Sequence, residues 1–211
     1  MRIKEIPDIT HCVGCGLHRP TSDQKTIWAV LCENKKIIIW PEGNYFFSAS
    51  LHHLVFRKYA CKLPRGVIFV DFCIENLPLF IDIAWLEKLK NFEMSIVLVT
   101  DRSMKSMARY WFNRRKEIIA ILVADNERAS FMKDAEDILR GKKVKPKGIV
   151  EITENEMQVL RMFGSGHSTS FIAQKLNCSV KSVYNYQYSL CKKLGNLKRL
   201  EQLRLKHRVS W

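Results

Sequence analysis

With 211 residues, 47% of them apolar, the chain suffices for one medium-sized folded unit and one small one, each with its own core. Its 35 Lys and Arg against 21 Asp and Glu leave a formal net charge of +14, a field that draws polyanions, whether DNA, RNA or an anionic membrane surface. A membrane-spanning helix is excluded because no apolar run approaches the roughly 18 residues needed. The seven cysteines, an odd number, argue for reduced thiols over a disulfide framework.

The first residues, Met1-Arg2-Ile3-Lys4-Glu5-Ile6-Pro7-Asp8, hold no apolar signal core, so the protein is expected in the cytoplasm. Residues 1–33 read as an amino-terminal arm whose one cluster is His11-Cys12-Val13-Gly14-Cys15-Gly16-Leu17-His18. Cys12, Cys15 and His18 have spacing suited to zinc, and Gly14 and Gly16 let the backbone wrap an ion. His11, beside Cys12, can hardly reach the same ion, so the site needs a remote or intermolecular ligand. The competing reading is an arm with ordinary thiols, and the expectation is no bound metal and no cofactor. Cys32, Cys61, Cys73, Cys178 and Cys191 sit in apolar surroundings and read as small core residues.

Over residues 34–140, strand-like runs alternate with helical ones. Strands are predicted over Ile37–Trp40, Val67–Phe72, Ile96–Thr100 and Ile118–Ala124, and helices near Phe47–Tyr59, Ile81–Asn91, Met104–Phe112 and Ala129–Leu139. Short apolar strands spaced by helices imply a parallel sheet covered on both faces. Gly141 to Gly148 is basic, carries Pro146 and lacks apolar periodicity, so it reads as a linker.

Residues 149–211 carry the most specific pattern. Thr153-Glu154-Asn155-Glu156 is a capping box that opens a helix, along which Val159, Leu160 and Phe163 recur at helical spacing until Gly164-Ser165-Gly166 ends it. Ser168 or Thr169 then caps a short helix with Phe171, Ile172, Ala173 and Leu176 inward, and Asn177-Cys178-Ser179 turns the chain into a third helix. On that helix, Val180 to Leu194, one stripe is Val183, Leu190, Cys191 and Leu194 with Val180 at its edge. Lys181, Tyr184, Asn185, Tyr188 and Lys192 share the opposite side with no carboxylate among them. An α-helix fits the major groove of B-DNA, where Asn pairs with adenine and Tyr touches a thymine methyl or a phosphate. The competing reading packs both tyrosines beneath another domain. Charge follows the motif: Lys142 to Trp211 holds 14 Lys and Arg against 4 Asp and Glu, net +10, while Met1 to Gly141 holds 21 against 17, net +4.

These residues resemble the carboxyl-terminal helix-turn-helix of the LuxR/NarL family of bacterial transcription regulators, without a gap from Ile152 to Arg199. The likeness runs through Ile152-Thr153-Glu154-Asn155-Glu156, Val159-Leu160, Gly166, Ile172-Ala173, Leu176 and Ser179-Val180-Lys181-Ser182-Val183. It implies that Tyr184, Asn185 and Tyr188 read bases and that Lys181, Ser182, Lys192, Lys193, Ser179 and Thr169 lie near phosphates. Two base-reading positions often hold Lys or Val in relatives, so the base preference here is expected to differ. Leu197, Leu200, Leu203 and Leu205 predict a fourth helix, which in relatives forms the dimer contact and which also serves to close the small core. Double-stranded promoter DNA, a second copy or another LuxR-type regulator, and RNA polymerase are the implied partners; membrane binding and enzymatic activity are not implied.

The order of elements before the linker is similar to a response-regulator receiver, the usual partner domain in this family. The expected architecture is therefore a parallel five-stranded receiver-like α/β domain followed by an all-α four-helix LuxR-type domain. Asp71 lies where a receiver keeps its phosphoacceptor and Thr100 where it carries a switch hydroxyl. Phosphoryl transfer also needs a divalent cation held by further carboxylates and a lysine opposite. The acidic pair appears only as Pro41-Glu42, and the lysine position is Ala124, so a degenerate receiver used for pairing is expected. Tyr110-Trp111 and Asn177 to Tyr184 suggest the auxiliary regulators of enteric bacteria that control fimbriae and other virulence genes. The rival is a phosphorylation- or metal/redox-responsive signalling protein with its chemistry in the amino-terminal half.

Overall fold

The computed structural model describes residues 9–12, 18–20, 37–41, 43–56, 62–124, 127–142, 144, 148–195 and 200, the first two segments by their backbone. Two short strands, β1 (Ile9–Cys12) and β2 (His18–Pro20), pair antiparallel and lie at one edge of a six-stranded sheet ordered β2-β1-β3-β4-β5-β6. The other four, β3 (Ile37–Trp40), β4 (Val67–Phe72), β5 (Ser95–Thr100) and β6 (Ile118–Val123), run parallel in chain order. They are almost wholly apolar and rich in Ile and Val, as strands covered on both faces must be. Ile38, Trp40, Ile68, Val70, Phe72, Ile96 and Leu98 face one core, and Ile39, Val67, Phe69, Val97, Val99, Ala120 and Leu122 face the other.

The expectation of five parallel strands is corrected here: four are parallel, and residues read as a loose arm supply the antiparallel edge through β1 beside β3. These strands are short and largely polar (Thr10, His11, His18, Arg19), so they give no apolar run to detect. Cys12 and His18 stand on this edge, and Cys15 lies outside the described residues.

Helices α1 (Tyr45–Leu51), continued by a wider turn from His52 to Phe56, and α4 (Arg128–Leu139) cover the second core. Helices α2 (Ala84–Lys90) and α3 (Lys105–Arg114) cover the first. A tight turn of 3-10 helix, Ile74–Phe80 with Pro78 inside it, precedes α2. Asn44 starts α1 two residues earlier than periodicity predicts, because its side-chain oxygen accepts from Phe47 N at 3.0 Å. Asp82 delays α2 by accepting from Ala84 N at 2.8 Å.

Three further helices follow: α5 (Glu154–Gly164), α6 (Thr169–Lys175) and α7 (Val180–Lys193). Their inward residues, among them Met157, Leu160, Phe163, Ile172, Val183 and Leu190, are continuous with the core beneath α2 and α3. Leu200 joins that core at 3% exposure; the rest of the expected fourth helix lies outside the described residues. Among the described residues, no helix is long and apolar enough to cross a membrane.

A polar seam binds α5 to α3. Tyr110 donates to Glu154 Oε2 at 2.8 Å, Asn113 donates to Glu151, and Arg114 stands 3.5 Å from Glu154 and 3.6 Å from Glu151. Arg114 also lies 3.9 Å over the Tyr110 ring. At the other end Arg161 Nε donates to Ile81 O at 2.9 Å, and Ile152 N donates to Ser106 O at 3.2 Å. Burial first, then the Glu154 carboxylate, pushes the Tyr110 phenol pKa up and keeps it a donor.

Candidate nucleic-acid interface

Each break between the last three helices is made by a specific side chain. Thr153 Oγ1 accepts from Glu156 N at 3.3 Å while Glu156 Oε2 accepts from Thr153 N at 2.7 Å, the reciprocal box that starts α5. Gly166 at φ +89 ends α5, with its own N–H on Phe163 O at 3.0 Å and that of His167 on Met162 O at 3.1 Å. Ser168 caps α6, its hydroxyl accepting from Phe171 N at 3.2 Å. Asn177 repeats the same closure after α6 at φ +49, and Cys178 N donates to Ala173 O at 3.0 Å. Ser179 caps α7, accepting from Ser182 N at 3.0 Å.

These turns leave α7 packed on α5 and α6 by Val183, Leu190 and Cys191, with Leu194 buried just beyond it. Val180 stands at the rim, 41% exposed. Lys181, Tyr184, Asn185, Tyr188 and Lys192 are all exposed on the outer side, and Tyr184 and Tyr188 are 58% and 64% open to solvent. Among the described residues nothing in the amino-terminal half covers the two phenols, against the reading that packs them there. Lys192 Nζ lies 4.6 Å over the Tyr188 ring, so a cation and an aromatic face occupy one site on the helix.

Two members of the expected phosphate set, Lys193 and Ser179, also make bonds within the protein. Lys193 turns inward: its ammonium donates to both carboxylate oxygens of Glu156 at 2.7 and 3.0 Å and to Glu151 O at 2.9 Å. The side chains are 17% and 5% exposed, which ties the end of α7 to the start of α5. Helical spacing carries the signal for this, since Lys193 follows Leu190 by three on the packed side whereas Lys192 follows Tyr188 by four on the open side. Ser179 spends its hydroxyl on the helix start and on Ser182 Oγ at 2.9 Å. Thr169, the first residue of α6, and Ser182, in the first turn of α7, stand near the amino-terminal ends of the two helices.

Asp71, next to last in β4, is 4% exposed. Asn44 donates to its Oδ2 at 2.9 Å, and the Asn76 amide reaches its carbonyl at 3.1 Å and Oδ2 at 3.4 Å. Thr100 donates its hydroxyl to Asp101 O at 3.0 Å, and Asp101 accepts from Met104 N at 2.9 Å. Among the described residues no group of His, Cys, Asp and Glu is arranged to hold a metal ion, and Glu42 lies outside them. The Asn44 and Asn76 side chains that bond Asp71 are neutral amides and bring no charge to the carboxylate. Burial, chiefly, pushes the Cys73 thiol up to about 12, so it is not a reactive thiolate at neutral pH.

Burial also raises the Asp71 pKa above 3.8, outweighing the hydrogen bonds from Asn44 and Cys73, with Glu75 and Asp101 adding to it. A carboxyl raised in the folded state contributes stability that is complete below its unfolded pKa and lost as pH rises through the folded one. Asp71→Asn keeps an acceptor for both amides and removes the buried charge. It should therefore raise Tm at pH 7 and lose that advantage near pH 3.5; thermal melts at both pH values check this, and a lower Tm at pH 7 would show the ionised form to be a net stabiliser.

Residues 11–139 match the family model described as EcpR N-terminal domain, and residues 150–205 match the bacterial regulatory proteins, luxR family. The chain is 27% identical over 184 residues to the uncharacterized protein YqeH of Escherichia coli strain K12, covering 87% of this chain and 88% of that one. Solved structures that resemble it include two RcsB dimers bound to two parallel DNAs (19% identity, 84% of this chain, 100% of that one, TM-score 0.46). Another is full-length FixJ from B. japonicum (15% identity, 83% and 97%, TM-score 0.32). With more than half its length matched by the first model, the chain belongs to the EcpR N-terminal domain family, and its residues 150–205 form a luxR-family regulatory domain.

Proposed function

We propose that this protein reads promoter DNA sequence-specifically through α7, and that it regulates fimbrial or virulence genes from the cytoplasm without phosphorylation of Asp71. The observation that carries the reading is the outer side of α7, where two open tyrosines, an asparagine and two lysines stand together with no carboxylate among them. Tyr184, Asn185 and Tyr188 contact base edges, and Lys181, Lys192, Ser182 and Thr169 lie along the phosphates. Pairing with a second copy or another LuxR-type regulator, and contact with RNA polymerase, complete the role.

Asn185→Ala and Tyr188→Ala should each cost about 1 to 3 kcal/mol on the cognate site with little change on random DNA. Lys192→Ala should weaken both alike and lower the salt slope by about 1. Titrations of cognate and random duplexes at several salt concentrations measure all three; equal losses on both duplexes would sink the base-reading role. Incubation with a small phosphodonor and Mg²⁺ should leave the mass unchanged, whereas an added phosphoryl group on Asp71 would establish the rival signalling reading.

A further inference from the structure

Three large apolar side chains left open to solvent lie on α7: Val180, Tyr184 and Tyr188 are 41%, 58% and 64% exposed. Their spacing of four and four sets them in one row down the helix, about 12 Å long at about 1.5 Å per residue. Beside it runs a polar row at the same spacing, Lys181 and Asn185. The chain on either side is described without a break over residues 148–195, and the sequence holds no Asp or Glu from Met157 to Leu200. Lys192 is engaged over the Tyr188 ring, its Nζ 4.6 Å from the centroid, and Lys193 is turned inward to Glu156. An exposed apolar row in a carboxylate-free, basic surface is suited to a polyanion that itself offers an apolar group.

We infer that this row selects A·T pairs whose thymines present the C5-methyl group to Val180, Tyr184 and Tyr188. The inference rests on the proposed function and names the DNA that its reading surface takes. In the major groove every other recognition group is polar: guanine shows two acceptors, cytosine an amino donor, and adenine one of each. Guanine is read by a paired set of donors from Arg or Lys and cytosine by a carboxylate, and positions 180, 184, 185 and 188 carry neither. A phenol tip can bond a polar group of any base, so the discrimination comes from the ring edges and from Val180. A guanine or cytosine edge set against them loses its water and gains no partner, whereas a thymine methyl loses its water and gains carbon contacts. Asn185, in the neighbouring row, can take adenine N6 and N7 together. Side by side, the two rows suit neighbouring A·T pairs, with adenine under the amide and thymine methyls under the apolar row.

The full chain should enrich, from a pool of random duplexes, a sequence whose major-groove contacts fall on thymines. Replacing those thymines one at a time by deoxyuridine removes only the methyl and keeps the pairing and every polar group. Each contacted methyl lost should weaken binding about fourfold, the factor that about 0.8 kcal/mol of buried CH₂ corresponds to. Tyr184→Ser and Tyr188→Ser should each abolish that penalty at one thymine and leave it at the others, with unchanged thermal melts because both side chains are open to solvent. Wild-type affinity indifferent to deoxyuridine, or an enriched sequence contacted through G·C pairs, overturns the inference and leaves sequence-specific reading by α7 standing. A penalty that persists unaltered in both variants reports the stiffness of the DNA and not a contact, and overturns it as well. A pool that yields no enriched sequence overturns the proposed function, and the inference with it.

Discussion

Replacing Lys193 with methionine should cost the helix-turn-helix about 3 to 5 kcal/mol, because it leaves the Glu156 carboxylate buried without its cation. That carboxylate is 5% exposed, and in the intact protein it takes both oxygens' bonds from the ammonium at 2.7 and 3.0 Å. Burial alone would push its pKa up. Hydrogen bonds from Lys193, Ser189 and Thr153 outweigh it and hold the group below 4.5. A carboxyl lowered in this way stabilises the fold above its unfolded pKa, and that contribution is lost as pH falls through the folded one, so the wild type should weaken below about pH 4.5. In Lys193→Met the sign reverses: burial acts unopposed, and the variant should recover relative to wild type as acid neutralises Glu156. Urea melts at pH 7 and pH 4 separate the two profiles. A loss under about 1 kcal/mol at pH 7 would place the pair among ordinary surface ion pairs. DNA titrations give an independent check, since a lysine that braces α7 leaves the salt slope of the folded fraction unchanged and a lysine on a phosphate lowers it.

The same residue marks the limit of what could be read in advance. The two faces of α7, the Thr153–Glu156 box, the Ser179 cap and the left-handed turn at Asn177 all follow from signals within a few residues, and all are where local spacing puts them. Lys193 has the residue type of a phosphate contact but the helix position of a packed one, and the position decides where its ammonium goes. The seam between the halves left no local trace: Arg161 and Ile81 are 80 positions apart, and Tyr110 and Glu154 are 44 apart. Asn44 and Asn76 are ordinary loop residues until the sheet brings both amides to Asp71. The parallel strands were legible because burial on both faces demands unbroken Ile and Val, whereas β1 and β2 lie at an edge, where that demand is relaxed. Polar contacts between distant segments depend on the fold and can be found only once it exists.

Trp111→Ala should cost about 3 to 5 kcal/mol, and its second consequence concerns how the halves communicate. Trp111 is 2% exposed on the inner side of α3, edge to face with Trp85 at 5.8 Å, and its indole N–H donates to Phe80 O at 3.0 Å. The next carbonyl along, that of Ile81, accepts from Arg161 on α5. One short stretch, Phe80 to Ile81, is therefore held by the sheet domain through Trp111 and by the reading domain through Arg161. Truncating Trp111 removes core volume, orphans the Phe80 carbonyl and loosens the segment on which Arg161 docks, next to Tyr110 and its bond to Glu154. The shared core predicts that the wild type unfolds in one cooperative transition and that Trp111→Ala splits it into two, the reading domain melting separately. Trp111→Phe tests mainly the polar part, since it keeps most of the buried ring volume and loses the N–H; about 1 to 3 kcal/mol and a single transition are expected. Denaturation followed by far-ultraviolet circular dichroism, with proteolysis of residues 141–148 as a measure of undocking, distinguishes these outcomes. A single transition in Trp111→Ala with the linker no more accessible would mean that the surface pairs of Arg114 and Arg161 hold the halves together without the indole. Measured exposed pairs contribute at most about 1 kcal/mol each, so the buried ring is expected to dominate.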